Sequence, residues 1–240
     1  VYDASVTAFQ NQSRRIIFEW RNDTFGGGPL AAAVDNINIK VSTCAKPTTL
    51  TAINVTSTNA TLDWTEPASA TNWEVAIMPL ASAAVPTGAG TPVTTNSEYT
   101  PPIGTLTPGT QYVYYVRSVC GGGAGNSIWS GPFQFALKPA NDECAQATVV
   151  LTNPDLNCTN FANGNITGST ASAQATTCGG TKDDDIWFEF VATHTAHNIN
   201  LNNVTGSTTD LFHAVYSGSN CGALTQLYCS DPNNSVANNL

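Results

Sequence analysis

The stretch LTPGTQYVYYVRSVC, residues 106–120, decides how the chain is read. A Pro-Gly turn signal at Pro108 and Gly109 leads into a run of β-branched and aromatic residues, the composition of a strand. Side chains alternate across a strand, so Tyr112, Tyr114, Val116 and Ser118 share one face. Working outward, the same grammar recurs in RRIIFEW, DNINIKV, ATLDW, WEVAIM, FQFAL, DIWFEFVA and HAVYSG, short segments separated by Gly, Pro, Asn and Thr clusters. No stretch keeps a helical period, and the chain reads as all-β. The frequent turn signals favour several small sandwiches over one large barrel.

Composition sets the boundaries of function. Charged residues make up 10% of the 240 residues, against about 25% in an ordinary soluble protein. Lys and Arg number 8 against 17 Asp and Glu, a net charge of -9 that repels phosphate backbones and anionic leaflets. Nucleic acid is therefore not an expected partner, and no apolar run reaches the roughly 18 residues of a membrane span. Hydrophobic residues at 41% suffice for packed cores. The opening VYDASVTAFQ has no basic head and apolar middle, so it is not a signal peptide, and the sequence reads as a piece of a longer chain. Seven cysteines, none in a C-x-x-C pair and none spaced with the histidines as zinc ligands are, point to disulfides and an oxidising, extracellular setting.

Residues 43–138 form the clearest unit. TLDWTEP sets Leu62 and Trp64 on one strand face, and NWEVAIM sets Trp73, Val75 and Ile77 on one face of the next. A tyrosine soon after Leu-x-Pro-Gly, here Tyr112, is the tyrosine-corner pattern, in which the phenol returns to the backbone near the turn. In this order the motifs resemble a fibronectin type III domain, with Trp64 on the second strand, Tyr112 on the sixth and WSGPFQFAL as the last. The resemblance implies that Cys44 and Cys120 meet at one pole of the sandwich. It also places the glycine-rich loop Gly121, Gly122, Gly123 to Asn126 between the sixth and seventh strands, as a contact site. The loop joins two strands and opens no helix, so it is not a phosphate cradle.

Two flanking resemblances complete the layout. FEWRND and AAAVDNINI within residues 1–42 resemble the closing strands of MAM-like or cleaved-adhesin jelly rolls. From 139 to 240, the order Asn-Asp-x-Cys, Asp-x-Trp-Phe, Val-Tyr-Ser-Gly and Cys-Gly-x-Leu resembles the start of a β-sandwich akin to pre-peptidase C-terminal domains, as found in large secreted proteins of Bacteroidota. In such repeats further strands follow, so residue 240 is expected to fall inside the module.

The run TKDDDIWFEF, 181–190, is the strongest candidate for chemistry. As catalytic acids, Asp183 and Asp185 lack an opposed partner element. As calcium ligands they suit a hard cation better, with Asp142, Asp210 or Asp231 joining, although the spacing is not that of an EF-hand. The plainer reading is a solvated strand end that discourages edge pairing, with Ile186, Phe188 and Phe190 on one side and Trp187 on the other. Asp35 in AVDNI is a second calcium candidate. Alternation sets His194 and His197 on opposite faces, against a shared metal, and His213 reads as a satisfied strand histidine. Trp129 fits either a core or an exposed platform. Among the remaining cysteines, Cys221 pairs most easily with Cys229; Cys158 with Cys178 would leave Cys144 for a later strand, and Cys144 with Cys178 is nearly as good.

No G-x-S-x-G elbow and no H-E-x-x-H occurs, so the reading is non-enzymatic. What the resemblances imply is a segment of a large secreted or cell-surface bacterial protein that spaces and presents adhesive modules, exported by the type IX route and serving gliding or biofilm adhesion. Its partner would be a surface glycan or protein. The rivals are an accessory, carbohydrate-binding region of a secreted hydrolase, and a filament subunit completed by strands of neighbouring copies.

Overall fold

The computed structural model of the chain describes Arg15, Ile17 and residues 44–94, 96–157, 159–179, 184–206 and 211–230. The expected jelly-roll strands of 1–42, with Asp35, and also Cys158, Asp183, Asp210 and Asp231, lie outside these residues.

The architecture is all-β. One sheet joins β1 (Thr48–Ile53), β2 (Thr61–Thr65) and β5 (Glu98–Tyr99) in the order β1-β2-β5. The facing sheet carries β4 (Thr91–Val93), β3 (Trp73–Pro79), β6 (Gln111–Gly121) and β8 (Ser130–Ala136), with β7 (Gly125–Asn126) extending one end of β6. Every pairing in both sheets is antiparallel. Each strand turns its apolar set inward. Leu62 and Trp64 from β2 meet Trp73 and Val75 from β3, Tyr112, Tyr114 and Val116 from β6, and Phe135 from β8, all buried. Ile77, the third of the β3 set, packs partly buried against them. Burying each such side chain stabilises the fold by about 1.5 to 3 kcal/mol.

Three polar side chains inside this sandwich are satisfied by bonds to neighbouring segments, whereas Trp64 Nε1 is buried without a partner. The Tyr112 hydroxyl accepts from the Thr107 amide at 2.8 Å, which fixes the turn before β6. The fully buried Tyr114 reaches the other sheet, where its hydroxyl lies 3.0 Å from the Thr51 carbonyl and 2.8 Å from that of Asp63. Those two residues are partners in the β1–β2 ladder, beside its register shift, so Tyr114 ties the sheets together at an irregularity. Burial pushes its phenol well above the ordinary value, and the Asp63 charge adds to that against the lowering effect of the Thr51 bond. At the opposite pole the Glu66 carboxylate accepts from Trp73 Nε1 at 2.8 Å and from the buried Ser118 hydroxyl at 2.9 Å. The Cys44–Cys120 disulfide closes the same end, with Cα atoms 5.7 Å apart.

Beyond residue 138 the structure has fewer ladders. β9 (Thr148–Val149) and β10 (Phe188–Glu189) pair in parallel, and β11 (Ala214–Ser217) and β12 (Thr225–Cys229) form a hairpin. Two disulfides span the segment, Cys144–Cys221 and Cys178–Cys229. They correct the expected pairs. Cys221 sits in the turn before β12 and Cys229 ends that strand. A 3-10 turn and then the extended β12 lie between them, and each sulfur is bonded to a different segment, Cys221 to Cys144 and Cys229 to Cys178. Cys178 is therefore not free for Cys158, and Cys144 is not held for a later strand. Hairpin pairing brings each end cysteine to a distant segment instead.

The histidines are also corrected. A bend at His194 breaks the alternation and leaves the rings of His194 and His197 with centroids 6.3 Å apart, both flanking the Thr193 hydroxyl at 3.1 and 3.5 Å. His213 is not satisfied: its Nδ1 is buried without a partner, and burial holds the ring below its ordinary pKa.

Candidate functional site

The glycine-rich loop, expected from the resemblance to make contacts, sits at the tip formed by β6 and β7. Gly121, Gly122 and Gly125 all adopt positive φ, at 66°, 53° and 65°, a backbone that only glycine takes without strain. A Cβ added at any of the three would meet open space, so the glycines serve the turn and not close packing. Asn126, paired opposite Val119, is exposed at the end of the loop. Beneath it the loop is braced. The Ser127 amide donates to the Ser118 carbonyl, the Ser118 amide donates to the Ser127 hydroxyl, both at 2.9 Å, and the Cys44–Cys120 bridge lies one residue before Gly121.

Beside the tip lies a group that the sequence reading did not assemble. Glu74 and Arg117 are cross-strand partners of β3 and β6, and their side chains meet at 2.6 Å. The guanidinium also covers the Trp129 ring, 4.5 Å from its centroid. Trp129 packs so closely on Gly90 that a Cβ there would lie 2.8 Å from the indole. One face of Trp129 is thus occupied by Arg117 and is not open for stacking on a sugar. The signal was present as Trp-Glu-Val and Val-Arg in adjacent strands, but only their register places the charges opposite each other.

The aspartates act as hydrogen-bond acceptors for a neighbouring loop. Asp142, 3% exposed, receives the Thr170 amide at 2.6 Å, the Thr170 hydroxyl at 2.8 Å and Lys138 Nζ at 2.8 Å. Burial alone would raise its carboxyl, yet these bonds, from Lys138 first and then Thr170, outweigh it and hold the group below its ordinary value. Asp185 receives the Ser172 amide at 3.0 Å and the Ser172 hydroxyl. Ser172 in turn accepts from Trp187 Nε1 at 2.7 Å. The two carboxylates thus grip residues two apart on one loop. Among the described residues no three His, Cys, Asp or Glu side chains gather in a way that could hold a metal ion, and no helix is long and apolar enough to cross a membrane.

Comparison with known proteins bears on part of the chain. Residues 45–136 match the family described as Fibronectin type III domain. No curated protein matches. Solved structures similar to this chain include the fn3 domain of human collagen alpha-1(XX) chain, 18% identical over 42% of this chain and 91% of that one, TM-score 0.35. The FN5 domain of Drosophila Lar is 19% identical over 38% and 94%, TM-score 0.29. With the tyrosine corner closed, the two sheets in place and the family match over the same residues, the segment 45–136 is a fibronectin type III domain.

Proposed function

We propose that this chain is a non-catalytic stretch of a large secreted or cell-surface bacterial protein, in which the fibronectin domain spaces adhesive modules and presents its glycine-rich loop to a surface glycan or protein. The observation that carries the reading is the braced tip: an exposed loop of Gly121 to Asn126 on a stem closed by the Cys44–Cys120 bridge. The eleven residues of β6 hold that tip about 35 Å from the pole where the following segment begins, the geometry of a spacer. Three disulfides among the described residues suit an oxidising compartment, and so the cell exterior. Export by the type IX route and a part in gliding or biofilm adhesion belong to the same proposal. The test is binding of the whole chain to glycan arrays and to intact bacterial and host surfaces, beside a variant with Gly122→Asp and Asn126→Asp. Binding lost in the variant supports the reading; equal binding moves the contact away from the loop.

In that setting Asp35, Asp183, Asp210 and Asp231 are the aspartates left for structural calcium, because Asp142 and Asp185 spend their oxygens on Thr170 and Ser172. Thermal melting in chelator and then in excess calcium tests this, and an unchanged Tm removes the ion from the proposal.

A second reading, completion by strands of neighbouring copies, is favoured by the third segment. Val149, Leu151, Val191 and Leu227 are 62%, 68%, 77% and 66% exposed there, aliphatic surface that a finished sandwich would cover. Light scattering over a concentration series decides it: growth in mass with concentration supports assembly, and a monomer throughout refutes it.

A further inference from the structure

A flexible linker between modules is solvated and carries few contacts across the joint. The joint at residues 137–142 is built differently. On the fibronectin side the Leu137 amide donates to the Thr110 carbonyl, the Lys138 amide to that of Thr56, and the Gly109 amide to that of Lys138, each at 3.1 Å. On the far side Asn141 exchanges two bonds with the backbone of Trp187, both at 2.8 Å. The stretch is thus tied to the fibronectin side through Leu137 and Lys138 and to the far side through Asn141, with Pro139 buried between them.

The loop 164–170 then reaches back across the joint. Asn165 Nδ2 donates to the Gly109 carbonyl at 2.8 Å, next to the tyrosine corner. Gly168, at φ 75°, lies so near the last strand that a Cβ would stand 2.6 Å from the Leu137 carbonyl and 2.9 Å from the Ala136 methyl. Lys138, Asp142 and Thr170 close a triangle, since Lys138 Nζ donates to Asp142 and, at 2.9 Å, to the Thr170 hydroxyl, which itself donates to Asp142. Apart from Lys138–Asp142, which are four positions apart, these bonds join residues 28 to 56 positions apart, so no local turn accounts for them.

We propose that the Lys138–Asp142–Thr170 triangle and the Asn165–Gly109 bond lock the fibronectin domain and the segment after it into one rigid body, making the joint a fixed elbow that sets the direction in which the loop tip points. The elbow does not depend on what the tip binds. It lets load pass from one module to the next without first taking up slack, and it aims the tip away from the downstream segment.

Amide nitrogen relaxation of the whole oxidised chain tests this. Amides of β3 and β6 and those of β11 and β12 should give rotational correlation times that agree within roughly a fifth. In Gly168→Val, whose side chain meets the Leu137 carbonyl, and in Asn165→Ala with Lys138→Ala, the fibronectin amides should tumble about twofold faster than in the wild type. Two distinct correlation times in the wild type would overturn the proposal. So would unchanged values in both variants. The wild-type arm needs no substitution and stands even if Gly168→Val fails to fold.

Discussion

Replacing Cys44 and Cys120 together by alanine removes the one covalent tie of the fibronectin domain. The bridge closes a loop with a sequence separation of 76, for which the chain-entropy relation assigns about 4.5 kcal/mol, through the freedom restored to the unfolded chain. Cys44 is 2% exposed, so its lost sulfur adds a small cavity cost, about 1 kcal/mol at most. Cys120 is exposed and adds nothing comparable. The sum, roughly 5 kcal/mol, is a large share of the ~5–15 kcal/mol of an ordinary domain and lowers its folded-to-unfolded ratio by about three to four powers of ten. The assay is native-state amide exchange in β3 and β6, the central strands, which open only with the whole domain and so report its stability apart from the third segment. Protection there should fall by that factor while the strand amides keep their native chemical shifts. A fall of less than about tenfold would refute the reasoning, because the unfolded chain would then gain little freedom from the cut.

Tyr112→Phe leaves the Thr107 amide without its acceptor; urea unfolding of the domain should lose about 1 to 2 kcal/mol at an unchanged slope. Because burial raises the Tyr114 phenol, its contribution to stability is complete below the ordinary value of 10.0 and is lost as pH rises beyond it. Ultraviolet titration should therefore find this phenol protonated where the unfolded chain ionises, and Tyr114→Phe should abolish that part of the alkaline loss. His213 has the opposite direction: its folded pKa lies below the ordinary 6.5, so its share of stability is present above 6.5 and fades as pH falls through the lower folded value. Ring proton shifts should place its midpoint below 6.5, and loosening of the β11–β12 hairpin, read by amide exchange, should follow the same titration.

The fibronectin domain was legible because its signals are local. Leu62, Trp64, Trp73, Val75, Tyr112, Tyr114 and Val116 turn inward as the period of two requires, and the turn before Tyr112 closes as its residues imply. The same period does not say whether the other face is covered: Val113 and Tyr115, which point away from that core, are buried as well. The Cys44–Cys120 pair followed from the family topology, which states where strand ends meet. The resemblance drawn for the later segment did not state which of its strand ends meet. Cys221 and Cys229 are near in sequence, yet each is bonded to a different segment, and nearness along the chain proved a poor guide. His194 and His197 came together for a related reason, a bend that cancels alternation.

The order of amino acids alone settled that the chain is built from strands and which faces of residues 48–136 are apolar, since pattern and turn chemistry need no knowledge of the fold. The tertiary structure decided the partners: Cys144 with Cys221, Cys178 with Cys229, Arg117 over Trp129, and Asp142 and Asp185 on Thr170 and Ser172. Each of these is a meeting of segments distant along the chain. Which such segments meet depends on how strands cross and loops return, a property of the packed whole that no local stretch carries.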